Sequence, residues 1–163
     1  MKRRVVCPGA FDPVTNGHLD VIERATRIFD EVIVGVAADT PKNTTFTLDE
    51  RTALLEESCS AFPTVRVVSF HGLLVDWAAR MKAVAVVRGL RALSDFEYEF
   101  EMALANRKLR AEVETMFLMT REEYACISSK LVREIASLGG PISSLVPPCV
   151  AEALTAKLAR KKR

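Results

Sequence analysis

The 163-residue chain has no C-x-x-C pair among its four cysteines, no long apolar run, no internal repeat and no low-complexity tract or linker. Each absence removes a class of protein. Cys7, Cys59, Cys126 and Cys149 lack the spacing of a zinc site, and no secretory leader precedes them, so they read as buried or free thiols in a reducing cytosol. The longest apolar runs, such as Val32 to Ala38, fall far short of the roughly 18 residues that a membrane span needs. With 49% apolar and 27% charged residues and a mean hydropathy of +0.12, the sequence is not disordered. A chain this long buries roughly two-thirds of its unfolded surface, so it needs neither metal nor disulfide to fold. One domain spanning 1–163 is expected.

The formal net charge of +2 conceals an uneven distribution. Lys2, Arg3 and Arg4 open the chain, and Lys157, Arg160, Lys161, Lys162 and Arg163 close it. With those eight set aside, the body carries 15 basic against 21 acidic residues, which argues against a broad nucleic-acid footprint. The basic C-terminus reads as a frayed, solvated helix end.

Short β-branched runs alternate with amphipathic stretches. Arg4–Cys7, Val32–Ala37, Val65–Ser69, Val84–Arg88 and Thr115–Met119 read as strands, apolar on both faces. Leu19, Ile22, Ala25 and Phe29 recur at helical spacing, and further helices are expected over Leu74–Met81, Asp95–Leu109, Ser129–Leu138 and Val150–Arg160. Thr47-Leu48-Asp49-Glu50 and Ser94-Asp95-Phe96-Glu97 both read as capping boxes. Strands separated by helices imply an α/β fold, a doubly wound five-stranded parallel sheet with helices on both faces. Ligands bind outside the carboxyl ends of such strands, near the point where strand order reverses, so the loops leaving strands are the places to search.

Four of them suit an anion. Cys7 to His18 is a glycine-bearing strand-to-helix turn, in which Gly9 leaves room for a ligand, and Gly17 and His18 sit near a helix N-terminus whose free N–H groups favour phosphate. The structural alternative makes His18 a capping residue. Lys42 lies in a polar loop after the second strand, where a lone lysine is ordinarily only solvated. Arg88-Gly89-Leu90-Arg91, read as a loop, offers two planar donor forks for a phosphate clamp, against surface ion pairs with Asp95 and Glu97. Ser128 and Ser129 open a helix carrying Lys130 and Arg133, as an anion site or as a plain N-cap. A polyphosphate substrate is the simplest common cause of all four.

Taken together, G-A-F-D-P over Gly9–Pro13, T-N-G-H over Thr15–His18, R-G-L-R over Arg88–Arg91, D-F-E-Y-E over Asp95–Glu99 and I-S-S over Ile127–Ser129 resemble the bacterial phosphopantetheine adenylyltransferase family. The likeness runs from the first strand to the last helix. The T-x-G-H element alone marks only the wider nucleotidyltransferase superfamily, whereas the R-G-L-R and D-F-E-Y-E strings are far more specific. The resemblance implies a Rossmann-like nucleotidyltransferase fold in a cytoplasmic homohexamer. It also implies the penultimate step of coenzyme A synthesis, in which ATP with Mg2+ and 4′-phosphopantetheine give dephospho-coenzyme A and pyrophosphate, with coenzyme A as a candidate inhibitor.

By the same resemblance His18 stabilises the transition state at the α-phosphate. Lys42 and Arg88 hold the acceptor phosphate, and Leu74, expected in the loop after the third strand, lines the pantetheine channel. Ala10, Phe11, Gly89, Leu90, Arg91, Glu99, and Tyr124, Ala125, Cys126, Ile127, Ser128, Ser129 and Lys130 surround ATP. Two positions depart from the family pattern: Ala10 stands where Thr or Ser is usual, so a hydroxyl that would orient the acceptor phosphate is missing, and Lys130 stands where a third Ser is common. Two other readings stay open at this point, a nucleotidyltransferase with another phosphorylated acceptor and a non-catalytic nucleotide-binding module.

Overall fold

A computed structural model describes residues 2–40, 43–91 and 93–161. Five strands, β1 (Arg4–Gly9), β2 (Glu31–Ala37), β3 (Val65–Phe70), β4 (Ala85–Leu90) and β5 (Glu114–Met119), alternate with helices α1 (Asn16–Ile28), α2 (Leu48–Ser58), α3 (Leu74–Arg80) and α4 (Leu93–Leu109). A 3₁₀ turn over Glu122–Tyr124 then leads to α5 (Ser129–Ser137) and α6 (Pro148–Lys161). All strand pairs are parallel, in the order β3-β2-β1-β4-β5, with Val6 opposite Ile33 on one side and Val86 on the other.

Because side chains alternate across a strand, the inner strands β2, β1 and β4 feed two cores. Val5, Val32, Val34 and Val87 pack with Ile22 of α1, Leu55 of α2, Val132 of α5 and Leu154 of α6. Val6, Ile33 and Val86 face the other way, onto Trp77 and Ala78 of α3. Both faces are covered, as continuously apolar parallel strands require. Strand order reverses between β1 and β4, so the crevice beyond Gly9 and Leu90 is where a ligand belongs in this topology.

The Thr47 capping box forms as expected: the Thr47 hydroxyl accepts from the Glu50 amide, and Glu50 accepts in return from Thr47 N at 2.7 Å. The second one does not cap its helix, because α4 begins at Leu93 and Ser94 already lies within the first turn. Leu74 opens α3, where the helix expected over Leu74–Met81 begins, and does not lie in the loop after β3 in which the resemblance put it. Arg88, Gly89 and Leu90 are not loop but the end of β4, paired with Phe117, Leu118 and Met119. Lys157 is no frayed end: it is ion-paired with Glu50 and lies over the Phe46 ring. All four cysteines are free, with Cys7 and Cys59 buried.

Candidate active site

The crevice at the switch point opens into a cavity of about 530 Å³, bounded by the turn after β1, the end of β4, α4 and the start of α5. A smaller cavity of about 190 Å³ shares Gly9, Ala10, Arg88, Tyr98 and Glu99 with it and continues to Phe70, Leu74, Met102 and Asn106. The site is therefore two adjoining chambers with Ala10 and Arg88 in the common wall, the smaller one lined largely by apolar side chains.

His18 is the third residue of α1 and completes a capping box with the N-cap Thr15. The Thr15 backbone N–H donates to His18 Nδ1 at 3.0 Å, and the His18 amide donates back to Thr15 Oγ1 at 3.3 Å. His18 is thus the capping residue that the structural alternative described, and it also faces the cavity. It caps the helix through Nδ1, and its ring lines the larger cavity. Burial, reinforced by the fields of Arg91 and Arg88, lowers its pKa to about 4, so the imidazole is neutral at physiological pH. Phe11 meets the ring edge-on, with centroids 5.1 Å apart, and holds its backbone at φ 49° to do so. A β-carbon on Gly9 would come within 3.0 Å of that phenyl ring, so Gly9 makes room for Phe11.

On the opposite wall, Arg88 donates through Nε and Nη2 to the two Glu99 oxygens, at 2.8 and 2.5 Å, and through Nη1 to Pro8 O at 2.9 Å. Its carboxylate partner is Glu99, deeper in the fold than the Glu97 surface pair allowed for in the sequence. Burial opposes the charge on Arg88, but the Glu99 hydrogen bonds and field outweigh it and raise the pKa. The Arg88 side chain keeps 29% of its surface accessible, so the pair presents a fixed cation to both chambers. Arg91 Nη1 reaches Ile127 O at 2.7 Å, tying the exit of β4 to the segment before α5.

Ser128 is the N-cap of α5, its hydroxyl accepting from Leu131 N at 3.0 Å, and Ser129 Oγ donates to Pro13 O at 2.8 Å. The Ser129 proton is therefore committed to backbone, whereas Ser128 accepts in the cap and keeps its O–H as a donor. The anion-binding capacity here comes from the first-turn amides of Ser129 and Lys130, which have no intrahelical acceptor, and from the positive end of the helix dipole. The Cys7 thiol also lines the larger cavity, but burial pushes its pKa up to about 12, which makes it inert as a nucleophile.

Ala10, Phe11, His18, Gly89, Arg91 and Glu99 therefore gather around the larger cavity, as do Ile127, Ser128, Ser129 and Lys130. Arg88 belongs to both chambers and Leu74 to the smaller. Leu90, Tyr124, Ala125 and Cys126 line neither. Tyr124 packs beside Gly17, and Leu90 accepts from Thr120 N. Lys42 lies outside the described residues. A β-carbon at Gly89 would stand 2.8 Å from Val21, so this glycine admits α1 against β4.

Two residues went unassigned in the sequence. Asp12 accepts the amides of Thr45 and Phe46 at 2.8 and 2.9 Å and lies 3.6 Å from Arg133 Nη1, joining the loop before α2 to α5. Arg51 of α2 donates to Ala10 O and Ala37 O. The available signal was its spacing: Arg51 falls one turn before the core residue Leu55, on the inward face of α2.

A parallel sheet with an imidazole donor and helix amides turned into its switch-point crevice is the architecture of a nucleotidyltransferase, and the cytidylyltransferase-like family profile matches residues 6–135. Within that class, the chain is 58% identical to the phosphopantetheine adenylyltransferase of Moorella thermoacetica over 91% of this chain and 93% of that one. It is 52% identical to the enzyme of the same name from Opitutus terrae, over 98% and 99%. The chain belongs to the phosphopantetheine adenylyltransferase family. A Vibrio parahaemolyticus crystal structure described as a nicotinate-nucleotide adenylyltransferase superposes with a TM-score of 0.74 over 99% of this chain and 97% of that one, at 20% identity, a likeness of fold.

Proposed function

We propose that this chain transfers the adenylyl group of ATP to 4′-phosphopantetheine, giving dephospho-coenzyme A and pyrophosphate in coenzyme A biosynthesis. The observation that carries the mechanism is the pair of chambers meeting at Ala10 and Arg88: one accommodates a nucleotide, the other an extended, mostly apolar arm. An oxygen of the acceptor phosphate attacks the α-phosphorus in line, and the bond from that phosphorus to the pyrophosphate oxygen breaks. The nucleophile is an anion already, so no base and no covalent enzyme intermediate is required, and catalysis is positioning with charge stabilisation.

His18 suits that task as a neutral donor. With Nδ1 occupied as an acceptor, the ring proton sits on Nε2, where it can stabilise the oxygen that gains charge at the α-phosphate. Arg88, fixed by Glu99, holds the acceptor phosphate at the Ala10 wall, Lys42 is assigned to the same phosphate by the family resemblance alone, and Leu74 lines the channel for the pantetheine arm. Phe11, Gly89, Arg91 and Glu99, with 127–130, surround ATP, with Arg91 and the start of α5 at the β- and γ-phosphates. Mg2+ belongs to this reading as part of the nucleotide. Asp12 and Glu99, the acids beside the site, are committed to amides and to Arg88, a donor set that suits a cation carried on triphosphate oxygens better than a protein cage. Bound there, it would neutralise charge on the leaving pyrophosphate.

Coenzyme A, which carries the same arm, fits as an inhibitor of the smaller chamber. A cytoplasmic homohexamer completes the reading. No described helix is long and apolar enough to cross a membrane, and α4 exposes Phe96, Phe100 and Leu104 along one side. The protein is incubated with ATP, magnesium and 4′-phosphopantetheine, and dephospho-coenzyme A is sought by mass. Its formation is expected. Binding of ATP without this product, or pyrophosphate release only with another phosphorylated acceptor, overturns the reading.

A further inference from the structure

Arg51 is a buried cation that stability alone does not explain. It is 2% exposed, and the Asp12 carboxylate supports its charge by its field without forming an ion pair with it. Nη1 donates both its hydrogens to backbone, to Ala10 O at 2.6 Å and Ala37 O at 2.9 Å, while Nε is buried with no hydrogen-bond partner. A buried charge left partly unsatisfied is a liability that an apolar residue of similar length would remove. What the side chain does secure is position. Ala10 forms part of the wall of both chambers and Ala37 part of the smaller; Ala10 directly follows β1, and Ala37 ends the neighbouring strand β2. A single nitrogen thus sets the spacing of two backbone segments at the junction where the two substrates must meet.

Residue 10 is alanine, so the polar groups it offers the chambers are those of its backbone. The Ala10 carbonyl belongs to the same peptide as the Phe11 N–H, and a hydrogen bond at the oxygen polarises that amide as a donor. We propose that Arg51 is a positioning residue for adenylyl transfer, gripping Ala10 and Ala37 from inside the fold so that the Ala10–Phe11 peptide is held at the junction of the chambers. The proposal rests on the function given above.

Arg51→Met removes both donors and the charge, and Arg51→Lys restores a cation with donors. For Arg51→Met, kcat falls about tenfold or more, because small misplacement of reacting groups is expensive, while KM for either substrate stays within about threefold and the folded fraction at assay temperature is unchanged. Arg51→Lys recovers most of the loss. Independently of turnover, the 15N shifts of the Phe11 and Ala38 amides, whose peptide carbonyls Arg51 holds, move in Arg51→Met and return toward wild type in Arg51→Lys. A kcat within twofold of wild type in Arg51→Met, a loss that merely tracks unfolding, or unmoved amide shifts would overturn the proposal. Wild-type protein that forms no dephospho-coenzyme A sinks the adenylyl-transfer reading instead, and the amide shifts then still decide whether Arg51 holds this peptide.

Discussion

The backbone N–H of Thr15 points at Nδ1 of His18 from 3.0 Å, so the residue that starts α1 also dictates where the imidazole carries its proton. An N–H donor requires an acceptor, and a neutral ring that accepts at Nδ1 bears its hydrogen on Nε2. Long-range 1H–15N NMR at pH 6 is expected to show His18 as the neutral Nε2–H tautomer. A cationic ring or the Nδ1–H tautomer at that pH would contradict the capping geometry. His18→Ala removes the donor and is expected to lower kcat by about 10²–10³-fold, as for other single oxyanion donors, with ATP affinity by calorimetry nearly unchanged.

The same burial makes His18 a source of acid sensitivity. Its pKa is about 4 in the fold against an ordinary value of 6.5, so between those pH values the unfolded chain binds a proton that the folded chain refuses. Stability is therefore complete above pH 6.5 and declines as pH falls toward 4, by about 1–3 kcal/mol after allowance for partial exposure of the ring. Urea titrations at pH 7 and pH 5 should show a smaller drop for His18→Gln than for wild type. Equal drops would remove His18 as the cause.

Ala10 sits exposed in the wall common to both chambers and brings no hydroxyl to it. Ala10→Thr places a hydroxyl there. Steady-state kinetics of the variant are expected to show kcat/KM for 4′-phosphopantetheine raised about two- to tenfold, the worth of one hydrogen bond. An unchanged or lower value would mean that the backbone already meets the need.

The central strands were legible because β1, β2 and β4 carry β-branched runs buried on both faces, while the edge strands β3 and β5 are only half-buried and stood out by their alternation with helices. The end of β4 was not legible: Arg-Gly at a strand terminus has the composition of a loop, and only pairing of Arg88, Gly89 and Leu90 with β5 keeps it extended. Three of the four segments singled out do meet at one cavity, Lys42 lies outside the described residues, and the Ser129 hydroxyl is spent on Pro13 O while that of Ser128 accepts in the α5 cap. Arg51 was hidden because its partners are carbonyl oxygens 41 and 14 residues away, atoms that no side-chain pattern marks.

The exposed side of α4 bears on assembly. Phe96 and Phe100 stack at 5.8 Å, Leu104 follows one turn on, and all three are at least 45% exposed on a helix whose other side already meets β4 and β5. A helix apolar on both sides is stable in water only when both are covered. Wild-type protein is expected to sediment as a six-chain particle in analytical ultracentrifugation, and Phe100→Glu with Leu104→Glu to shift it to smaller species. A monomeric wild type would refute the hexamer.

Gly89 couples packing to chemistry. Its missing β-carbon admits Val21, which lies one turn beyond His18 on α1, so a methyl group at position 89 pushes on the helix that aims the imidazole. At a separation of 2.8 Å the contact must be relieved by movement of α1 or by a strained Val21 rotamer, because Val has a single strongly preferred χ1 in a helix. Gly89→Ala is expected to lower stability by about 1–3 kcal/mol in urea unfolding, the range for overpacking. It should also lower kcat at temperatures where the variant is fully folded, since in the proposed function displacement of α1 would carry His18 away from the α-phosphate. Adding Val21→Ala to Gly89→Ala vacates the contested space and should restore kcat even though it removes core methyl groups. Failure of the double variant to recover activity would show that Gly89 matters to the ligand directly and not through α1.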